Sequence, residues 1–166
     1  MTSPPPDLSR FHDAQDQPHA GHADALREMQ EGAKRSHWIW YVLPQVSGLG
    51  LSDMAKAYGL RGAAEAEAYL RDPVLRSRLL AITSAIATHV VSPASTTLAS
   101  LMGSEVDARK AVSSLTLFEH VARRMPAPDQ VSEVKAIGET AMGILDAVAS
   151  QGYARCPVTL ASLEAD

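Results

Sequence analysis

The step Asp72-Pro73, followed by Leu75, Leu79, Ile82 and Ile86, constrains this chain more than any other stretch. Asp72 is suited to cap a helix, Pro73 fits its first position, and the apolar residues recur at intervals of four, three and four. Such a stripe has to be buried against other elements. The remaining segments supply helices rather than strands. The 46% apolar content is carried mainly by Ala, Leu and Val, and only 5% of the residues are aromatic, a mix that favours helix over sheet.

Read along the chain, residues 1–7 with their Pro run form a flexible leader, 8–163 a single helical domain and 164–166 a frayed end. Asp7 or Ser9 caps a short helix with Phe11 inward, and the stretch from Asp16 to Gly21 breaks it. A helix over His22–Ala33 places Ala23, Leu26 and Met29 or Gln30 on one side, with Arg27 and Glu28 on the other, and Gly32 marks its end. After a turn-rich loop over 44–52, Ser52 caps a helix through Met54 and Tyr58. Further helices are expected over Ala63–Arg71, from Pro73 to the Ser92-Pro93 stop, over Ser95–Met102 closed by Gly103, over Glu105–Arg124, and from Asp129 to about Ser150. No segment reads as a strand. The expected fold is all-α, an irregular bundle of seven or eight helices.

Charge and cysteine usage narrow the function classes. A net charge of -4 with mixed signs offers no basic stripe for nucleic acid. No run approaches the roughly 18 apolar residues needed to span a bilayer, and the N-terminus lacks a signal-peptide core. The lone Cys156 has no disulfide or metal-binding partner, which points to a reducing cytoplasm. His12, His19 and His22 lack the spacing and carboxylates of a metal site, so no metal or other cofactor is expected.

Two constellations could carry chemistry. In the first, Lys34-Arg35-Ser36-His37-Trp38-Ile39-Trp40-Tyr41 followed by Pro44-Gln45, a helix would put Lys34, Trp38, Tyr41 and Gln45 on one face and His37, Trp40 and Tyr41 on another. A cation, flat aromatic walls and an amide suit an anionic, ring-bearing small molecule. They equally suit a core. In the second, the helix over Glu105–Arg124 buries Ala111, Leu115, Phe118 and Ala122. One polar line holds Asp107, Lys110 and Ser114, and another holds Arg109, Ser113, Thr116 and His120. Small hydroxyls beside a core stripe leave room for a ligand or bond back into the helix.

The order Gly32-x-Lys34-Arg35-Ser36-His37-Trp38-Ile39-Trp40-Tyr41-Val42-Leu43-Pro44-Gln45, then Gly48-x-Gly50-x-Ser52 and Asp107-x-x-Lys110-Ala111-x-Ser113-Ser114-x-Thr116-Leu117-Phe118, resembles domain-of-unknown-function family 1810. The resemblance runs from about residue 8 to 160 and implies an all-helical cytoplasmic domain, mostly bacterial, without an established activity. Two positions depart from the family pattern. Cys156 stands where members tend to carry an Asp ahead of the final Thr159-Leu160, and Met102-Gly103 replaces Phe-Gly. The arrangement of separate Lys, Trp, Gln and Asp motifs is similar to the NADAR N-glycosidases.

That similarity suggests a metal-free hydrolase of an N-glycosidic bond in a phosphorylated ribosyl or nucleotide-like metabolite. Asp107 and His37 are then the candidate catalytic residues. Lys34, Arg35, Trp38, Trp40, Gln45, Lys110, Ser113 and Ser114 are the candidate ligand-binding residues. The alternatives are a non-catalytic metabolite-binding or protein-interaction module, and a purely structural role in which Asp107 pairs with Arg78 and Trp38 plugs the core. The sequence leaves the oligomeric state open.

Overall fold

The structure, a computed structural model, describes residues 3–91, 93 and 96–166. These form one all-α domain of ten helices, with no strand among the described residues. Helix α1 (Ser9–Gln15) starts where the Asp7 carboxylate accepts the Ser9 N–H at 2.9 Å. Helix α2 (His22–Glu31) ends at Gly32, whose φ of 86° is the left-handed turn that glycine tolerates. The aromatic stretch forms only the single-turn α3 (Ile39–Val42). Helix α4 (Asp53–Tyr58) is capped as the sequence indicates, the Ser52 hydroxyl accepting the Ala55 N–H at 3.1 Å. An isolated pairing of Val46, ahead of α4, with Leu60, just beyond it, closes the turn-rich loop and α4 into one unit.

Helix α5 (Gly62–Arg71) leads into α6 (Pro73–Val90), where Asp72 Oδ1 accepts the N–H groups of Val74 and Leu75. Leu75, Leu79, Ile82 and Ile86 are all buried, so the stripe that opened the sequence reading is core. After α7 (Leu98–Met102) come α8 (Glu105–Arg124), α9 (Ser132–Val148) and α10 (Pro157–Glu164). Helix α9 packs along both α8 and α6, while α2 lies against α6, and α5 and α7 against α8. An aromatic run crosses the interior, Phe11 to Tyr69 at 5.2 Å between centroids and Tyr69 to Phe118 at 5.3 Å.

Several boundaries differ from the sequence reading, each for a local reason. Ten helices replace the expected seven or eight because α3 and α10 were not distinguished. The short helix expected over Ser95–Met102 begins at Leu98, because Thr97 provides the cap, accepting the Ser100 N–H at 3.2 Å. Ser92 and Ser95 lie outside the described residues. Asp129 ends a 3-10 turn rather than opening a long helix, and α9 starts at Ser132. The Gln130 amide accounts for the offset, since it donates to the carbonyls of Ala122 and Met125 at 2.7 and 2.9 Å. Those bonds tie residue 130 to the end of α8. Residues 164–166 were expected to fray, yet Glu164 closes α10 and the Asp166 carboxylate accepts the Ala63 N–H at the start of α5. No helix is long and apolar enough to cross a membrane among the described residues.

Candidate functional site

The two constellations meet. Lys34 leaves the C-terminal end of α2, where Gly32 turns the chain, and its backbone N–H donates to the Leu101 carbonyl at 2.8 Å. That bond holds the segment against the end of α7, where Gly103 has a φ of 81°; a Cβ there would stand 3.2 Å from the Lys34 carbonyl oxygen. The next helix starts at once. Ser104 caps α8 by accepting the Asp107 N–H at 3.1 Å, which places the Asp107 carboxylate in the electropositive first turn.

Lys34 Nζ therefore reaches Asp107 Oδ2 at 2.8 Å and also donates to the Ser36 carbonyl at 2.7 Å. Its side chain is only 5% exposed, against 19% for Asp107. Lys110, one turn further along α8, approaches the other carboxylate oxygen at 4.0 Å. Each ammonium group also lies on an indole, Lys34 at 5.1 Å from the Trp38 ring centroid and Lys110 at 4.9 Å from that of Trp40. The order Trp38, Lys34, Asp107, Lys110, Trp40 is thus one continuous line of contacts. Trp40 is half-buried, and its indole N–H is enclosed without a hydrogen-bond acceptor among the described residues.

The inner end of this line is core. Trp38 is 0% exposed and its Nε1 donates to Glu28 Oε1 at 3.0 Å. Glu28 also accepts the N–H groups of Arg35 and Ser36, at 2.6 and 2.9 Å, and the Ser36 hydroxyl. Burial alone would raise its pKa, but these donors prevail and lower it to about 2. The sequence reading put Glu28 on the outer face of α2, whereas it is buried under the aromatic loop. Nothing in the spacing of α2 marks it. Its partners come from the irregular segment beyond Gly32, which helical periodicity does not describe.

The remaining candidates separate. Only Ile39–Val42 is helical, so the shared helical faces expected for residues 34–45 do not form. Trp38 offers no stacking surface because it is enclosed. Arg35 turns outward to Glu31 at 2.6 Å. His37 is exposed and contributes its carbonyl, which accepts the Tyr41 hydroxyl at 3.2 Å, and no bond joins its ring to Asp107 among the described residues. Gln45 lies beside Gly50, and its carbonyl accepts the Leu60 N–H. Ser113 donates to the Arg109 carbonyl at 3.1 Å and lines a different cleft. Ser114 is wholly buried, its hydroxyl without a partner among the described residues. The suggested pairing of Asp107 with Arg78 is also corrected: Arg78 binds Asp16 at 2.6 Å.

The chain matches, over residues 5–143, the family described as protein of unknown function (DUF1810). Among solved structures it is similar to that of the conserved hypothetical protein Rv1873 from Mycobacterium tuberculosis. The two are 30% identical with a TM-score of 0.71, over 95% of this chain and 96% of that one. No curated protein matches.

Proposed function

The chain belongs to the DUF1810 family, and we propose that its Asp107–Lys110–Trp40 surface binds an anionic, ring-bearing small molecule of the nucleotide-like class. One observation carries the reading. The Lys110 ammonium is 4.0 Å from Asp107 and lies over the Trp40 indole, with no hydrogen bond of its own among the described residues. Its donors are free for a phosphate or carboxylate, and the partly exposed indole beneath offers a flat apolar contact for the attached ring. Lys34 takes the other role, fixing Asp107 from the protein side. The single Cys156 fits a reducing cytoplasm as the place of action.

Hydrolysis of an N-glycosidic bond is the second reading, and the unequal engagement of Asp107 favours it. Lys34 holds Oδ2 at 2.8 Å, while among the described residues Oδ1 has only Lys110 at 4.0 Å. An oriented carboxylate with one loosely held oxygen can stabilise an oxocarbenium-like centre or position water. In this reading Asp107 is the reacting group, and no bond joins the His37 ring to it among the described residues.

A thermal-shift screen of nucleotides and ribosylated metabolites, followed by product analysis on each hit, tests both. Binding raises the melting temperature by linkage, and Lys110→Ala abolishes the shift. Product that disappears in Asp107→Asn while the shift persists establishes the hydrolase. A shift unchanged by Lys110→Ala, or no shift with any compound, overturns the proposed site.

A further inference from the structure

We infer that the cleft where α1, the turn-rich loop and the junction of α4 with α5 meet is a second binding site, for a compact, multiply charged phosphate anion of the diphosphate class. It shares no residue with the surface around Lys110 and does not rest on that reading. The cleft has a volume of about 320 Å³ and is lined by Arg10, Ser47, Lys56, Ala57, Gly59 and Arg61. Its size is at the small end of the range for ligand clefts, roughly 300 to 1,000 Å³. Three cationic side chains thus face one opening on a chain whose net charge is -4.

Backbone bonds build the opening. The Ser47 N–H donates to the Leu60 carbonyl at 2.8 Å and the Leu60 N–H to the Gln45 carbonyl at 2.9 Å, which ties the loop to the residue before Arg61. Gly59 permits this approach. A Cβ on it would stand 2.8 Å from both Cα and Cβ of Ser47, closer than a real side chain allows. Ser47 is therefore held against the end of α4, with Arg61 directly ahead of α5.

A buried carboxylate orients the two arginines without cancelling the charge of the cleft. Glu65 is not part of the lining, and its side chain is only 3% exposed. It accepts an Arg10 guanidinium N–H and the Arg61 backbone N–H, each at 2.7 Å, and Arg61 Nε adds a longer bond at 3.4 Å. Arg10 also donates to the carbonyls of Asp7 and Gly59, at 2.8 and 3.2 Å, and lies 4.4 Å from the Phe11 ring centroid. Its guanidinium is fixed before any ligand arrives. Burial alone would raise the Glu65 pKa, but these donors hold it below the ordinary range. One negative charge therefore stands against three positive ones. The neighbouring carboxylates of Asp7 and Asp166 are engaged by the N–H groups of Ser9 and Ala63.

The remaining donors are unspent. Among the described residues, the Lys56 ammonium, the two Nη atoms of Arg61 and the Ser47 hydroxyl make no hydrogen bond or ion pair. An ammonium beside a guanidinium fork suits the oxygens of a phosphate, and the two uncompensated charges match a diphosphate better than a single carboxylate. The apolar lining is confined to Ala57 and Gly59. With no aromatic face in the cleft, the phosphate groups and not an attached ring carry recognition.

Calorimetric titration of inorganic pyrophosphate into the full chain at low ionic strength tests the site. A Lys110→Ala background removes the other anion-binding surface. One saturable site per chain is expected. Lys56→Ala and Arg61→Ala should each weaken binding about tenfold, the equivalent of one charge-assisted bond of about 1.4 kcal/mol. Both side chains are exposed, so the urea midpoint should stay unchanged while binding falls. Acetate, with one charge, should bind at least about tenfold more weakly than pyrophosphate. Adenosine diphosphate, which carries the same groups on a nucleoside, should bind no more tightly. Absence of saturable pyrophosphate binding, or binding that survives the Lys56→Ala, Arg61→Ala double variant, overturns the site. Acetate binding as tightly as pyrophosphate, or adenosine diphosphate binding more tightly, overturns its assignment to a compact polyanion.

Discussion

The indole N–H of Trp38 ends on the carboxylate of Glu28 at 3.0 Å, inside the core and ten residues away in sequence. Trp38 is the largest of the fully buried side chains, and Glu28 accepts further bonds from Arg35 and Ser36. Packing and charge are therefore combined in one unit. The chain between α2 and α3 has no regular structure of its own, and its polar groups are gathered on one buried carboxylate.

Acid stability follows from that unit. The Glu28 carboxyl titrates at about 2 in the folded chain, below its ordinary 4.5. A depressed folded pKa stabilises the fold above the unfolded value and loses that contribution as pH falls from about 4.5 towards 2. Its size is about 3 kcal/mol. Urea unfolding between pH 6 and 3 is expected to show Glu28→Gln less stable than wild type at pH 6, with the difference shrinking at pH 3. A constant difference across that range would remove Glu28 from the acid response.

Substitution of Trp38 separates packing from hydrogen bonding. Trp38→Ala is expected to cost about 3 to 5 kcal/mol, the range for a fully buried aromatic. Trp38→Phe keeps most of the apolar volume and loses the donor to Glu28, so its cost should be smaller, about 1 to 3 kcal/mol. Equal losses in chemical denaturation would mean that shape alone holds this position.

Lys34 and Asp107 should be energetically coupled. Lys34→Met leaves Asp107 facing only Lys110 at 4.0 Å, and Asp107→Asn leaves the buried Lys34 ammonium without its counterion. Breaking a fully buried pair costs about 3 to 5 kcal/mol. The partial exposure of Asp107 admits water and reduces this to about 1 to 3 kcal/mol. A double-mutant cycle by urea unfolding is expected to give a coupling above about 0.5 kcal/mol; strict additivity would show that the contact contributes nothing to stability.

What the sequence revealed and what it concealed divide along the same physical line. Asp72, Pro73, Ser52 and Gly32 act through residues one to four positions away, so caps and helix ends were readable directly. The family motif also brought Lys34 and Asp107 into consideration, and the structure joins them at 2.8 Å. Partner choice was not readable. Asp107 takes Lys34 rather than Arg78 because the Gly32 turn and the Lys34–Leu101 backbone bond bring residue 34 to the first turn of α8. Glu28 was misplaced for the same reason, since a helical wheel assigns faces within one helix and knows nothing of a loop folded over it. Ser113 and Ser114 were readable as lying on different lines of α8, but not that the first lines a cleft with Tyr153 and Cys156 while the second is sealed in the core.

Trp40 provides a direct reading of the proposed ligand surface. In Trp38→Phe, which retains the core volume, Trp40 is the sole tryptophan, and its indole carries the Lys110 ammonium at 4.9 Å. An anion drawn to Lys110 changes the charge above the ring, so adenosine monophosphate is expected to shift or quench its emission with saturation. Adenosine, which lacks the phosphate, should bind at least about tenfold more weakly, the equivalent of a single charge-assisted bond of about 1.4 kcal/mol. Added salt should weaken the nucleotide more than the nucleoside, since only the former depends on an exposed charge. Lys110→Ala in the same background separates binding from collisional quenching, because collision needs only an accessible indole. A linear, unsaturable response that survives Lys110→Ala would assign the change to collision and leave Lys110 as the structural neighbour of Asp107.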